Sequence, residues 1–118
     1  MNALVLAVAL TIAGECDDIG HGCELSVARV LANRVGAPGY ATTIDGALAG
    51  FYGRAEAPTP EAIRVARLLW ADPDAVRDGV YYYAYSDDDR ARMGWRRGDA
   101  RICNETLCVN LSQDWPRE

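Results

Sequence analysis

Apolar residues run almost unbroken from Ala3 to Ala13, with Thr11 the one polar interruption. A helix that is apolar nearly all round belongs at the centre of a core, and Asn2 is a good N-cap for it. The pattern predicts a first helix from about Asn2 to Gly14 or Glu15. An acidic turn with glycines follows, Cys16 to Gly22. A second helix is predicted from Cys23 to Val35, with Val27, Ala28, Val30 and Leu31 forming one stripe and Gly36 as its stop. Gly36 to Tyr40 reads as loop, Thr43 to Leu48 as a short capped helix, and Phe51 to Pro58 as irregular chain. Thr59-Pro60-Glu61 combines an N-cap, a first-turn proline and a first-turn acid. The helix it starts carries Ile63, Ala66, Leu69 and Trp70 at helical spacing as far as Ala71, and Asp72-Pro73 ends it. Val80 to Tyr85 is the clearest strand. Ser86 to Asp89 can cap a short helix reaching about Met93, and Ile102 to Val109 reads as two short strands around Asn104-Glu105-Thr106. No internal repeat and no low-complexity linker interrupts the series. The predicted fold class is α+β, mainly helical with a small antiparallel β element.

The chain has 118 residues, half of them hydrophobic and a quarter charged, so one domain spanning 1–118 is expected, with a radius of about 13 Å. Net charge is −5. Every basic residue is arginine; there is no lysine. Arg90, Arg92, Arg96, Arg97 and Arg101 cluster, but Asp87, Asp88, Asp89 and Asp99 interleave with them. That pattern is a mixed-charge surface rather than a basic patch, so neither nucleic acid nor an anionic membrane is an expected partner. The three consecutive aspartates do not have the spacing of a calcium loop and read as helix N-terminal acids.

His21, the single histidine, narrows the chemistry further. A multi-histidine metal site is excluded, and a Ser/His/Asp triad could use only this residue, which sits in the turn Ile19-Gly20-His21-Gly22. The four cysteines form two close pairs, Cys16/Cys23 and Cys103/Cys108. Their spacing fits a four-thiolate zinc site poorly. Two local disulfides are favoured over free buried thiols, because each gap closes a short turn, and they imply an oxidising compartment. A thiol enzyme built on Cys16 and His21 would need a free thiolate beside the imidazole. Ala3 to Ala13 lacks the charged lead of a signal peptide and is too short to span a membrane. An export signal elsewhere, or phage-type delivery, is then expected for a protein working in the cell envelope or outside the cell.

Glu15 is the sharpest oddity. It ends an almost wholly apolar helix and precedes Cys16-Asp17-Asp18. A carboxyl group at a helix C-terminus faces the negative end of the macrodipole, and the apolar neighbours and two aspartates add to the same effect. All three favour the protonated form, which is what the general acid of glycosidic cleavage requires. The plainer reading is that Glu15 simply begins the solvated turn.

The run Leu10-Thr11-Ile12-Ala13-Gly14-Glu15, followed by Ser26 to Val35 with its terminal Asn33-Arg34-Val35, resembles the cell-wall hydrolase family that includes the spore-cortex-lytic enzymes. The family's later features have counterparts in order. They are Phe51 after Gly50, the helix Pro60 to Ala71, the strand Gly79-Val80-Tyr81-Tyr82-Tyr83, and Trp95. The resemblance implies a lysozyme-like fold that cuts the glycan strands of peptidoglycan without a cofactor, with Glu15 as the catalytic acid/base. Many members act as lytic transglycosylases, in which one acid serves both proton transfers. The chain departs from the family after Glu15, where a second glutamate is missing and Asp18 stands one position short, and at Ile102-Cys103-Asn104, where a histidine-containing ending is usual. The cysteines lie outside the family pattern.

Sugar rings stack on aromatic faces, so Tyr82 and Tyr83, matching the family's aromatic pair, together with Phe51 and Trp95, are the expected substrate-binding residues. Strand alternation would put Tyr81, Tyr83 and Tyr85 on one face and Tyr82 on the other. Asn33 is expected to orient backbone near its own helix. The expected partner is the peptidoglycan strand, bound by a monomer. The rival reading is a domain of the same fold that binds glycan or supports an envelope or virion assembly without catalysis. An open cleft at Glu15 discriminates the two.

Overall fold

The computed structural model describes residues 2–16, 22–51 and 55–116. Within them the chain forms α1 (Ala3–Cys16), α2 (Cys23–Arg34), α3 (Ile44–Leu48), α4 (Pro60–Ala71) and α5 (Pro73–Val76). It continues through β1 (Tyr83–Ser86), α6 (Asp87–Met93), β2 (Ala100–Cys103) and β3 (Cys108–Ser112). The fold is α+β, with a three-stranded antiparallel sheet in the order β1-β3-β2. Its radius of gyration is 12.9 Å. Among the described residues no helix is long and apolar enough to cross a membrane.

Side chains set the helix starts. Asn2 accepts from the Val5 amide, Thr59 from Ala62, and Ser86 from Asp89. Thr43 caps α3 in the same way. Each oxygen satisfies an amide that the helix itself leaves open. Gly36, at φ +79°, adopts the left-handed conformation that stops α2. One helix escapes the sequence reading. Asp72-Pro73 ends α4, but Asp72 also caps the amide of Asp74 and starts α5 with Pro73 in its first turn.

Helix α1 lies at the centre and packs against α2 and α4. Val8, Ala9, Ile12, Val27, Leu31, Val65 and Leu69 are fully buried. Alanines at 28, 32, 62 and 66 are equally inaccessible, and their small size lets the helix axes come close. Thr11, also buried, returns its hydroxyl to the Ala7 carbonyl at 2.8 Å. The polar interruption in the apolar run is therefore satisfied within the helix.

The sheet has two different faces. Ala84, Val109 and Leu111 belong to the apolar core. Tyr83 pairs with Ser112 and Tyr85 with Asn110 on the other face, since directly opposed residues share a face. Asn110 is fully buried and makes three bonds: it donates to the Tyr85 carbonyl and to Asp87, and accepts from the Gly98 amide. A Cβ on Gly98 would lie 2.7 Å from that of Asn110, so this contact needs glycine.

Strand β1 begins at Tyr83, three residues later than the pattern predicts. The cause lies in α2. Asn33 donates to the Tyr81 carbonyl at 2.7 Å and accepts from the Asp78 amide at 3.0 Å. Arg34 Nε donates to the Tyr82 carbonyl, and Arg77 reaches back to the carbonyls of Ala32 and Val35. Side chains therefore take the carbonyls that a longer strand would offer to its neighbour. This corrects the expectation for Asn33: the backbone it orients is 45 to 48 positions away, not on its own helix.

Both cysteine pairs are disulfides. Cys16–Cys23 joins the end of α1 to the start of α2, and Cys103–Cys108 spans β2 and β3 at a registered position. The bond at Cys16 removes the thiol that a Cys16/His21 enzyme would need. His21, Asp17 and Asp18 lie outside the described residues, as do residues 52–54.

Candidate functional site

Glu15 occupies the last turn of α1 and is only 5% exposed. It borders a cleft of about 270 Å³. The disulfide at the next residue ties this helix end to α2, so the backbone carrying the carboxyl group is anchored from both sides. Three of the four expected aromatic residues, Phe51, Tyr83 and Trp95, border the same cleft. Phe51 and Trp95 are 6% and 8% exposed. They contribute both to the core and to the cleft wall.

Tyr82 falls elsewhere. It borders an adjoining depression of about 260 Å³ together with Ala37, Pro38, Tyr40, Tyr83 and Trp115. Tyr81 is separated from both. It packs beside Asn33 and Arg29 on another part of the surface, so it does not share a face with Tyr83 and Tyr85. Simple alternation fails because Tyr81 and Tyr82 precede the strand and are held by side chains of α2.

Arg34, Tyr40, Tyr85 and Trp115 also line the cleft. Arg34 is nearly buried, and its guanidinium carbon lies 4.5 Å from the Phe51 ring centre, 5.0 Å from Tyr83 and 5.5 Å from Tyr40. Cation–π attraction suits such a position. A Cβ on Gly50 would come within 2.8 Å of Arg34 Nη1, so the glycine leaves the guanidinium its place.

The aromatic rings form a continuous chain. Tyr82 stacks on Tyr40 at 6.0 Å, Tyr40 meets Tyr83 at 6.3 Å, and Tyr83 meets Trp115 edge-on at 5.5 Å. Trp115 continues to Trp95 at 5.9 Å, and Trp95 to Tyr85 at 5.3 Å. These are favourable offset and edge-on contacts. The Tyr40 and Tyr83 hydroxyls are hydrogen-bonded to each other. Burial first, and then the contact with Tyr83, push the Tyr40 phenol above the ordinary tyrosine range, against a smaller opposing pull from Arg34. Tyr85 directs its hydroxyl to the Arg96 carbonyl and to Ser112, which leaves its ring as the part available to the cleft.

Asp89 is the second carboxylate on the cleft. It pairs with Arg92 at 2.8 Å. The neighbouring charges pair similarly, Arg101 with Asp87 and Arg96 with Asp99, so three of the five clustered arginines are ion-paired with the aspartates between them. Among the described residues no group of three or more His, Cys, Asp or Glu is placed to hold a metal ion.

Chemically, the site is a buried carboxyl group on a cleft it shares with the Arg34 guanidinium and with aromatic rings that present flat apolar faces. Such rings can hold a sugar ring by its C–H face, while the carboxyl group exchanges a proton with a bound oxygen. Compared with known proteins, the chain matches no family model, no curated protein and no solved structure.

Proposed function

We propose that this protein is a lysozyme-like glycosidase that cleaves the glycan strands of bacterial peptidoglycan, with Glu15 as general acid and then general base. One observation carries the reading: the glutamate that matches the family motif is buried at the edge of an aromatic cleft, where the plainer reading would have it in a solvated turn. Phe51, Tyr83 and Trp95 bind sugar rings there, and Tyr82 extends the aromatic surface into the next depression.

In this mechanism Glu15 donates its proton to the glycosidic oxygen as the bond to the anomeric carbon breaks. The resulting carboxylate then accepts a proton from the attacking group. If that group is the sugar's own hydroxyl, the product is an anhydro-sugar; if it is water, the product has a reducing end. Asp89 is tied to Arg92, so both proton transfers are assigned to Glu15. The two disulfides suit the oxidising surroundings of an envelope or extracellular protein.

Glu15→Gln keeps the shape and removes the proton. It is expected to lower cleavage of purified peptidoglycan by about 10²-fold or more, with an unchanged circular-dichroism spectrum. Asp89→Asn is expected to cost less than about tenfold, because its carboxylate takes no proton in the reaction. Equal losses in both variants would move the acid/base role away from Glu15 alone.

A further inference from the structure

A charged side chain lies among the rings of the cleft. Arg34 is only 6% exposed, and it borders the same cleft as Glu15. Its guanidinium packs beside Phe51, Tyr83 and Tyr40, three rings that line that cleft. We propose that Arg34 is the positioning residue of the sugar-binding wall: it sets the angle and spacing of these rings, and through them the affinity for a glycan strand, without itself exchanging a proton. The inference rests on the glycosidase reading and adds which side chain orders the wall.

The three rings come from separate segments. Tyr40 lies in the loop between α2 and α3, Phe51 follows α3, and Tyr83 begins β1. Arg34, the last residue of α2, touches all of them. It also holds the backbone beneath two of the tyrosines. Arg34 Nε donates to the Tyr82 carbonyl, and Asn33 beside it donates to the Tyr81 carbonyl and accepts from the Asp78 amide. Tyr82 and Tyr83 diverge just past these bonds, Tyr82 to the outer depression and Tyr83 into the cleft. The place of the guanidinium is itself reserved, since a Cβ on Gly50 would lie 2.8 Å from Arg34 Nη1.

Packing alone does not call for an arginine here. A nearly buried cation is costly to desolvate, and an apolar side chain of similar length fills space without that cost. The planar guanidinium does what an apolar chain cannot. It lies against ring faces and directs Nε to a backbone carbonyl at the same time. Rings held in this way are ordered before a sugar arrives, so less freedom is lost on binding.

Isothermal calorimetry with a soluble hexasaccharide of the peptidoglycan strand tests this in a Glu15→Gln background, where binding is read without cutting. Arg34→Met is expected to weaken binding about tenfold or more, with the stoichiometry unchanged. Arg34→Lys keeps the charge but not the planar fork, and should stay within about threefold of Arg34→Met. A merely structural role would act in the opposite way, lowering the fraction of protein able to bind and leaving the affinity of the rest. Gly50→Ala is a milder route, open even where Arg34→Met fails to fold. Gly50 is not in the left-handed conformation, and its added methyl meets the movable end of the Arg34 side chain. It should weaken binding about threefold or more when Arg34 is present, and by less than about 1.5-fold in the Arg34→Met background. Unchanged affinity in Arg34→Met or in Gly50→Ala, affinity restored by Arg34→Lys, or an equal Gly50→Ala effect in both backgrounds would overturn the positioning role and leave the glycan reading standing. Absence of hexasaccharide binding by Glu15→Gln itself would overturn the glycan reading, and this inference with it.

Discussion

In the half built from α1, α2 and α4, the fully buried positions are mostly apolar, among them Val8, Ile12, Val27, Leu31, Val65 and Leu69 with alanines between them, and the polar Thr11 bonds within its own helix. In the sheet half, fully buried Val109 is accompanied by Asn110 and Ser112. The first region is held by burial, which is non-directional and tolerates exchange of one apolar shape for another. The second is held by directed bonds: Asn110 to three partners, Tyr85 to Arg96 and Ser112, Asp87 to Arg101. The Glu15 cleft lies where the two regions meet. The helical half supplies a buried carboxyl group, and the sheet half supplies rings and polar groups in fixed positions.

The largest expected effect breaks the comparison at its core. Ile12→Ala should destabilise the fold by about 2–5 kcal/mol, whereas Ile12→Leu should cost less than about 1.5 kcal/mol. Asn110→Leu, of similar volume, should behave in the opposite way. It removes the Asn110 bonds to the Gly98 amide and the Tyr85 carbonyl, at about 1–3 kcal/mol for each buried group left without a partner, while Asp87 keeps its pair with Arg101. Denaturant melts of the three variants decide this. A mild Asn110→Leu would show that the sheet half, too, is held by packing alone.

The disulfides come next. Each closes a short loop, so opening one by Cys→Ser pairs should cost about 2 kcal/mol in the chain-entropy account. Loss of Cys16–Cys23 should also reduce activity, because it frees the helix end bearing Glu15. Loss of Cys103–Cys108 should act mainly through the hairpin. Thermal melts alongside cleavage assays separate the two, and identical profiles would contradict distinct roles.

The smallest effect concerns Tyr40. Its phenol titrates above the ordinary 10.0 when folded, so the unfolded chain loses this proton first. The stabilisation is complete below about pH 10 and is lost as pH rises from there toward the folded value. Ultraviolet difference titration should show fewer tyrosines ionising near pH 10 in the folded protein than in the denatured chain, a difference that Tyr40→Phe reduces by one. Normal titration of Tyr40 in the folded protein would remove the Tyr40–Tyr83 pair from the account.

The helix starts were legible because capping is local: Asn2, Thr43, Thr59 and Ser86 need only a neighbouring amide. The motif drew attention to Glu15 and Phe51, which both line the cleft, and the disulfides were legible through their short gaps. Arg34 was visible in Asn33-Arg34-Val35, but nothing in a helical pattern says that a charged side chain will turn inward among three rings. Tyr40 and Trp115 sit in segments with no periodicity, and their place at the cleft depends on contacts distant in sequence. The early end of the predicted tyrosine strand has the same origin. Its carbonyls are claimed by Asn33 and Arg34 from another element.

The most direct measurement is digestion of purified peptidoglycan by the parent protein and by Glu15→Gln, with mass analysis of the released fragments. The account predicts that the parent cuts the glycan strand, yielding anhydro ends if the sugar's own hydroxyl attacks and reducing ends if water does. The Glu15→Gln variant should release neither while still binding the strand. Intact polymer after treatment with the parent protein, or undiminished cutting by Glu15→Gln, would contradict it.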